Sequence, residues 1–352
     1  MLAPDASLDH ALRPAAGPVP RSIRGRTGPR VGLVLGGGGL VGLAYHAAAL
    51  TALETDVGWD GREADVVVGT SAGSIAGALL RRGFGAIDLA STAVGAEVGS
   101  ASGLDELLRA GATLPPVGLR TFVRPVRVPH PSLLAGIVRR PTRVDPIGLA
   151  AGLLRDGAIG GEGHRAHLAT AIGDEWPDEP TWICTVRQRD LRRVVFGRDA
   201  WGSLSDAVVA SCAVPGYFTP PRIDDVTYLD GGVHSPTNAA TLVDRELDLV
   251  IVVSPMSTRS PQLLGLGSWV RRYATAKLNR EVAALRRHGI PTVVLQPGRA
   301  LTPVLGIDFM DATHLREVVA ASYFDVAEQL AARRVQELVA PLRTPSATAI
   351  GA

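Results

Sequence analysis

Two stretches of sequence decide the fold: Arg30-Val-Gly-Leu-Val-Leu-Gly-Gly-Gly-Gly-Leu-Val-Gly42, and then Val66-Val-Val-Gly-Thr-Ser-Ala-Gly-Ser74. In each stretch an apolar run typical of a buried strand is followed at once by glycines, which leave room for a sharp bend into a helix. The first bend would turn backbone N–H groups toward an anion, and the second would project a serine hydroxyl. Together they predict a serine acyl hydrolase.

The composition of the 352-residue chain is that of a globular α/β protein, with 46% hydrophobic and 5% aromatic residues. Its net charge of +2 does not indicate a nucleic-acid-binding protein, so we expect no nucleic-acid partner. Two cysteines are too few for a disulfide framework and lack metal-ligand spacing, so we expect a reducing, cytoplasmic location, no metal and no cofactor. No apolar run reaches the roughly 18 residues of a membrane-spanning helix.

Short apolar runs alternate with helical runs through most of the chain. The patterns predict strands at 31–35, 64–68 and 249–253, and helices at 41–53 and 313–338. Apolar runs of this length, separated by helices, are typical of a mainly parallel sheet that is covered on both faces. The predicted fold class is therefore α/β.

The region from about 99 to 163 interrupts this alternation. Between Arg109 and Arg143 it contains seven arginines and no acidic residue, so we interpret it as a basic insertion over the core. Its charge would suit an anionic surface. A helix predicted after Ser268 is a second candidate for membrane contact, although its apolar stripe is more typical of a helix packed on its own sheet. Peripheral contact with an anionic membrane is therefore a hypothesis that the sequence supports.

Ser71 is the predicted nucleophile. Gly69 and Gly73 flank it and leave room for the strained strand-to-helix turn that exposes a reactive hydroxyl. The turn would place this hydroxyl at the N-terminus of the next helix, where unpaired N–H groups favour negative charge. The competing interpretation is an ordinary helix N-cap after a buried strand.

The glycine loop of the first stretch is the predicted oxyanion hole. Gly37, Gly38 and Gly39 have no Cβ, so their backbone N–H groups would be free to converge on an oxyanion. Two alternatives remain open. The pattern Gly37-x-Gly39-x-x-Gly42 also matches a dinucleotide-binding fingerprint, although the next strand ends in Gly-Thr-Ser instead of an acidic residue. A purely structural turn is the other alternative.

A serine hydroxyl needs a base, and Asp230 is the candidate. It follows a short apolar run and precedes Gly231 and Gly232, so its carboxylate would reach a sheet end near Ser71. An Asp-Gly-Gly sequence is also typical of an ordinary turn. The main enzymatic alternative is a Ser-Asp-His triad, for which the candidate histidines are His234, His288 and His314.

Four motifs occur in the order seen in patatin-like phospholipases: the glycine run 36–42, the elbow 69–73, the segment 211–218, and Asp230-Gly-Gly232. The chain resembles this family from about residue 30 to residue 335. The resemblance implies a three-layer α/β/α patatin-like fold with a mainly parallel central sheet and an inserted cap region. It also implies hydrolysis of lipid acyl esters by a serine and an aspartate, without a catalytic histidine.

When the roles of the family's residues are assigned to the matching motifs, the resemblance implies Ser71 as the nucleophile and Asp230 as the general base. It implies backbone N–H groups around Gly37, Gly38 and Gly39 as the oxyanion hole. The remaining motif glycines support these roles through the shape of the backbone, and they are Gly42, Gly69, Gly73, Gly231 and Gly232.

One position departs from the family pattern. The family usually carries Arg or Lys immediately before the last glycine of its first motif, whereas this chain has Val41 there. A catalytically impaired lipid-binding or regulatory protein with the same fold therefore stays an alternative. The predicted organisation is a disordered basic N-terminal arm (1–29), a catalytic domain (30–338) with the cap insertion (about 99–163), and a C-terminal tail (339–352).

Overall fold

The computed structural model describes residues 28–93, 106, 109, 113, 126–139, 145–260 and 266–343. All but the last two residues of the predicted N-terminal arm lie outside these ranges, as do part of the cap insertion and most of the C-terminal tail. The boundaries of these three regions stay predictions.

A central sheet organises the protein. Its strands are, in chain order, β1 (Val31–Leu35), β2 (Val66–Thr70), β3 (Thr181–Arg187), β4 (Arg192–Phe196), β5 (Arg222–Ile223), β6 (Val226–Asp230), β7 (Leu249–Val253) and β8 (Thr292–Leu295). The sheet order is β5-β6-β3-β2-β1-β7-β8, with β4 paired to β3 off this path. Strands β3, β2, β1, β7 and β8 are parallel, and β4 and β6 pair antiparallel with β3. The prediction of a mainly parallel sheet is confirmed.

Helices cover both faces of this sheet. They are α1 (Gly39–Ala52), α2 (Ala72–Arg81), α3 (Ala86–Ala93), α4 (Pro131–Arg139), α5 (Pro146–Gly152), α6 (Glu162–Ile172), α7 (Leu204–Ser211), α8 (Leu266–Arg287), α9 (Leu301–Leu305), α10 (Leu315–Ala331) and α11 (Arg333–Val339). Alternate residues of a strand face opposite sides. Leu33 and Leu35 thus pack in the core of α1, α2 and α10, and Val34 packs in the core of α8. The predicted three-layer arrangement is confirmed.

The C-terminal helical region differs from its prediction. The sequence predicts one helix over 313–338, but the structure has two, because Ala332 is extended with φ −62° and ψ 128°. Gln336 Nε2 donates to the Leu330 carbonyl at the end of α10, at 2.6 Å. The change of direction lets α11 bury Val339 in the core. Tertiary burial therefore overrides a helical pattern that contains no proline or glycine at the break.

The parallel pairing of β1 with β2 brings the two decisive bends together. Leu35 pairs with Gly69, so both strands end at the same edge of the sheet. The second strand extends two residues beyond its prediction, to Thr70, and Ser71 follows it directly. Carboxyl ends of parallel strands are where α/β sheets bind ligands. Among the helices that the structure describes, none is long and apolar enough to cross a membrane.

Candidate active site

Ser71 occupies a strained turn between β2 and α2. Its φ of 52° and ψ of −123° lie in a region that a residue with a side chain rarely adopts. The turn is tight: a Cβ at Gly69 would lie 2.5 Å from Ser74 Cα, and a Cβ at Gly73 would overlap the carbonyl oxygen of Leu35. Only glycine fits at these two positions. The strain and the crowding are those of a nucleophile elbow.

Two further serines hold this elbow, and sequence reasoning did not assign them a role. The Ser74 hydroxyl donates to the Ser71 carbonyl at 2.6 Å. The Ser71 N–H donates to Ser211 Oγ at 2.9 Å, and the Ser211 hydroxyl donates to the Cys184 carbonyl at 2.7 Å. Ser211 thereby connects the elbow to β3. Its only sequence signal is its place at the start of the 211–218 motif.

Asp230 ends β6 and lies beside Ser71. Its carboxylate is only 5% exposed and accepts the Gly232 N–H at 2.6 Å. Burial raises the pKa of Asp230 to about 6, while hydrogen bonds from the Gly232 amide and the Ser71 side chain act in the opposite direction. The structure therefore brings the two predicted reactive side chains into contact. A buried carboxyl with a pKa near neutrality is suited to accept and return a proton.

Asn238 is another residue that sequence reasoning missed, and it joins the two sides of the site. Its side-chain amide donates to Thr70 Oγ1 at 3.1 Å, next to the serine, and to the Gly231 carbonyl at 3.3 Å, next to the aspartate. Asn238 is fully buried and has a left-handed backbone with φ 53°. Asparagine tolerates this conformation better than most residues, which is the one local signal for its role.

The glycine loop supplies free backbone donors next to Ser71. A Cβ at Gly37 would lie 3.4 Å from Ser71 Cβ, but the Gly37 N–H is already donated to the Pro236 carbonyl at 2.8 Å. No acceptor in the described part of the chain takes the N–H of Gly38 or Gly39. The available donors of the predicted set 37–39 are therefore the second and third glycines.

Segments from distant parts of the chain hold this loop in place. The Gly36 N–H donates to the Val253 carbonyl at 3.0 Å, and the Val41 N–H donates to the Phe309 carbonyl at 3.1 Å. His46 lies fully buried in α1, and its Nε2 donates to the Gly36 carbonyl at 2.6 Å. Burial lowers the pKa of His46 to about 4, so this histidine is a neutral structural donor.

A cavity of about 420 Å³ opens beside the pair Ser71 and Asp230. Apolar side chains from the sheet edge, α1, α5 and α8 form most of its wall. Four of these side chains are also exposed to solvent at its mouth; we call them the apolar rim, and they are Ile147, Trp269, Val270 and Ile307. The polar side chains of the lining, besides the reactive pair, include His164, Tyr217 and Tyr273. This volume is in the range of roughly 300–1,000 Å³ typical of small-molecule sites.

The three histidines considered for a triad do not line this cavity, and a fourth does. His288 Nδ1 contacts the Ala284 carbonyl, and His314 Nε2 contacts the Val304 carbonyl. His234 is mostly buried, which lowers its pKa to about 4. His164 lines the cavity and stacks on Phe218 with ring centroids 6.2 Å apart. Within the described ranges, no group of three or more His, Cys, Asp or Glu side chains is placed to hold a metal ion.

Mycobacterial proteins are among the curated relatives found by sequence. The chain is 28% identical over 243 residues to the uncharacterized NTE family protein Rv1063c of Mycobacterium tuberculosis and to its counterpart Mb1092c of Mycobacterium bovis. The match covers 67% of this chain and 52% of each relative. The chain thus spans about half the length of these proteins.

Two solved structures show limited similarity. VipD from Legionella pneumophila matches at 13% identity with a TM-score of 0.37, over 84% of this chain and 67% of its own. The type III effector protein ExoU matches at 19% identity with a TM-score of 0.30, over 85% of this chain and 54% of its own.

The family model for patatin-like phospholipases matches residues 33–243. This range is more than half of the chain and contains the glycine loop, the serine elbow and Asp230. It confirms the resemblance that the four motifs indicated. The chain belongs to the patatin-like phospholipase family.

Proposed function

We propose that this protein is a serine hydrolase that cleaves carboxylic ester bonds of lipids. The observation that carries the proposal is the hydrogen-bonded pair of Ser71 and Asp230 at the edge of an apolar cavity. Family membership supports it. The alternative is a protein that binds lipid in this cavity without turning it over.

In the proposed first step, Asp230 accepts the hydroxyl proton of Ser71 while Ser71 Oγ attacks the ester carbonyl carbon. The N–H groups of Gly38 and Gly39 donate to the oxyanion that forms. The ester C–O bond then breaks, and the leaving alcohol takes the proton from Asp230. In the second step Asp230 deprotonates a water molecule that attacks the acyl-enzyme, and the released Ser71 oxygen recovers the proton.

The cavity wall supports an acyl chain as the group that is bound. Leu40, Leu43 and Ile75 line it near the serine, together with Phe309 and Met310. Burying apolar surface of a ligand contributes roughly 25 cal/mol per Å² removed from water. An acyl chain therefore gains most of its binding free energy here, while the ester group meets Ser71.

The proposal is tested with purified variants on a soluble ester such as p-nitrophenyl butyrate. We expect Ser71→Ala and Asp230→Asn to lower kcat by roughly 10³-fold or more, because the nucleophile or its base is lost. The matched controls are Ser132→Ala and Asp225→Asn, which change an exposed serine and an exposed aspartate outside the cavity lining. Activity of either site variant equal to that of its control would reject the assignment.

A fluorophosphonate probe separates the enzyme from the binding protein. Wild-type protein should be labelled, and Ser71→Ala should not, because the probe reacts with an activated serine. A wild-type chain that binds fatty acid but resists labelling and does not turn over esters would support the binding alternative.

We further propose that the cavity mouth contacts a lipid surface. Trp269 is 69% exposed and Ile307 is 76% exposed, although both are large and apolar. The Arg272 guanidinium lies 5.8 Å from the centre of the Trp269 ring. An exposed apolar rim beside a basic side chain is typical of proteins that lie on anionic membranes. The buried stripe of α8 beyond the rim, formed by Leu278, Val282 and Leu285, packs on the sheet.

Vesicle sedimentation tests this surface independently of catalysis. In the Ser71→Ala background, Trp269→Ala should weaken binding to vesicles of phosphatidylglycerol and phosphatidylcholine by several-fold, because a membrane-inserted aromatic ring is removed. The control is Phe324→Ala, which removes an aromatic ring of similar exposure away from the cavity. Equal binding of the two variants would contradict the proposed surface.

A further inference from the structure

Arg271 is a buried cation with no ion-pair partner among the residues that the structure describes. It lies near the start of α8 and is only 3% exposed. No carboxylate in the part of the chain that the structure describes lies within ion-pair distance of its guanidinium. Burial of an unpaired charge is costly, so proteins rarely retain one without a use for it. Arg280, nine positions later on the same helix, is exposed to solvent.

The contacts of Arg271 lead directly to the glycine loop. Its Nη1 donates to the Pro255 carbonyl at 2.9 Å, and its Nη2 donates to the Gly306 carbonyl at 3.2 Å. Its Cζ lies 5.2 Å from the centre of the Phe309 ring. The guanidinium therefore joins two segments, the turn after β7 and the 306–310 segment, that are far apart in sequence.

Both of these segments pack against the loop that carries the free amides. A Cβ at Gly38 would lie 3.1 Å from Pro255 Cβ, so the proline contacts the loop. On the other side, the Phe309 carbonyl accepts the Val41 N–H at 3.1 Å and blocks a Cβ at Gly39. Displacement of either segment would move the amides of Gly38 and Gly39. Arg271 is the side chain that ties the two segments together.

The charge of Arg271 lies next to Pro255 and Phe309, the two residues that contact the glycine loop. Burial lowers the pKa of Arg271 to about 10, which still leaves it protonated at neutral pH. Carbonyl dipoles and the face of Phe309 stabilise the cation, but they do not neutralise it. In a poorly solvated region an unneutralised charge acts over a longer distance than it does in water. Val41, which stands where the resemblance leads us to expect a cation, is buried in the apolar core.

We infer that Arg271 is a positioning residue of the oxyanion hole, and that it supplies from α8 the positive charge that the glycine loop itself lacks. The inference rests on the proposed function. Arg271 acts on the amides of Gly38 and Gly39 through its contacts with Pro255 and Phe309. Its electric field also acts on the developing oxyanion. The cation is thus provided by tertiary structure.

Two substitutions separate the charge from the contacts. Arg271→Gln keeps a carbonyl-binding amide but has no charge, whereas Arg271→Lys keeps the charge with fewer donors. On p-nitrophenyl butyrate, we expect Arg271→Gln to lower kcat roughly 10- to 100-fold with KM changed less than about twofold, because the lost interaction forms in the transition state. Arg271→Lys should retain most of kcat at neutral pH. Arg280→Gln is the matched control and should behave as wild type.

A boronic acid inhibitor gives a second reading of the same interaction. It forms an anionic tetrahedral adduct with a serine, so its affinity should fall in Arg271→Gln by about the same factor as kcat. If Arg271→Gln does not fold, the pH dependence of Arg271→Lys replaces it. A buried ammonium loses its proton at lower pH than a guanidinium, so kcat of the lysine variant should fall above neutral pH while that of wild type does not.

The outcomes distinguish this inference from the proposed function. Equal kcat values for Arg271→Gln and Arg280→Gln in an active enzyme would overturn the inference alone. Equal losses of kcat in the glutamine and lysine variants, with unchanged boronate affinity and no added pH dependence, would mean that Arg271 has only a structural role. This result would also overturn the inference. A folded wild-type protein that neither turns over esters nor reacts with the fluorophosphonate would overturn both proposals.

Discussion

The serine elbow and the glycine loop are similar in sequence but differ in how they are held. In the elbow, the amide and the hydroxyl of Ser74 both donate to the Ser71 carbonyl, three residues away. The partners that hold the glycine loop from outside come from segments about 200 to 270 residues later in the chain, at Pro236, Val253 and Phe309. The elbow therefore combines these local contacts with one remote hydrogen bond, from the Ser71 N–H to Ser211, whereas most of the partners of the loop are remote.

This difference predicts which substitutions each bend tolerates. The elbow is packed directly onto β1, so a change there forces backbone atoms of the central sheet to move. At Gly38 and Gly39 the loop is bounded by the Pro255 side chain and by the 306–310 segment, which lies outside the sheet and which we expect to shift at lower cost in free energy. We therefore expect changes in the elbow to destabilise the fold and changes in the loop to impair activity first.

The largest expected effect is that of Gly73→Ala in the elbow. The new Cβ would overlap the Leu35 carbonyl oxygen, a backbone atom at the carboxyl end of the central strand β1. We expect a loss of several kcal/mol of unfolding free energy, roughly at or above the upper range for single substitutions, or no folded protein at all. Circular dichroism and thermal unfolding measure it.

The control is Gly136→Ala in α4, where a Cβ meets open space. It should be neutral or slightly stabilising, because alanine favours a helix over glycine by roughly 1 kcal/mol. A Gly73→Ala protein as stable as this control would show that the elbow is not the rigid member of the pair.

The second effect is that of Gly39→Ala in the loop. This glycine has φ 58°, and a Cβ there would meet the Phe309 carbonyl oxygen. We expect the 306–310 segment to move, with kcat lowered roughly 10²- to 10³-fold because oxyanion donors are displaced, while the protein stays folded. Kinetics on a soluble ester, together with thermal unfolding, measure both results.

The Gly58→Ala variant separates the free-energy cost of a left-handed backbone from the effect of displacing the 306–310 segment. Gly58 also has a positive φ, 77°, but a Cβ there has no neighbour within 4 Å. Its variant should lose about 1 kcal/mol of stability and keep its kcat, since only the left-handed conformation is penalised. If both variants lose stability equally and both keep kcat, the loop does not hold the oxyanion.

The third effect is a pH dependence of activity that arises from Asp230, beside the elbow, and not from the glycine loop. Burial raises the pKa of Asp230 to about 6, and Asp230 must be ionised to act as the base. We expect kcat/KM to fall roughly tenfold per pH unit below about 6 and to level off above it. The expected profile is measured with a substrate that does not itself titrate in this range.

The contribution of Asp230 to the free energy of unfolding should change with pH in the direction opposite to kcat/KM. The folded-state pKa of Asp230 lies above the usual aspartate value of 3.8, so ionisation destabilises the fold above about pH 6, and this cost disappears below about pH 4. Asp230→Asn should therefore raise the unfolding free energy by roughly 2 kcal/mol near pH 7.5, with little gain near pH 4. An equal gain at both pH values would show that ionisation is not its source.

The proposed reactive residues stand out in the sequence because each one sits in a short motif with a local physical reason. A serine between two glycines after a strand predicts an elbow, and an aspartate before two glycines predicts a strand end. The strands around them followed from apolar runs, and β1 and β7 were predicted at their observed bounds. The break at Ala332 was not predictable, since it depends on burial of Val339 and no residue there disfavours a helix.

The supporting residues had no comparable signal. Ser211, Asn238 and His46 are common polar residues, and their roles appear only through the contacts that they make in the folded structure. The candidate histidines show the same limit. Sequence reasoning singled out three that lie away from the cavity, whereas His164 lines it.

Local sequence patterns predict the α/β class, the two bends and the candidate serine and aspartate, because those features arise from periodicity and from the steric freedom of glycine within a few residues. Tertiary structure alone decided which amides of the loop remain free, and it placed Arg271 behind that loop. The physical reason is that hydrogen-bond partners and electric fields depend on distance in space. Pro236, Pro255 and Phe309 are far from the loop in sequence and lie next to it only in the assembled fold.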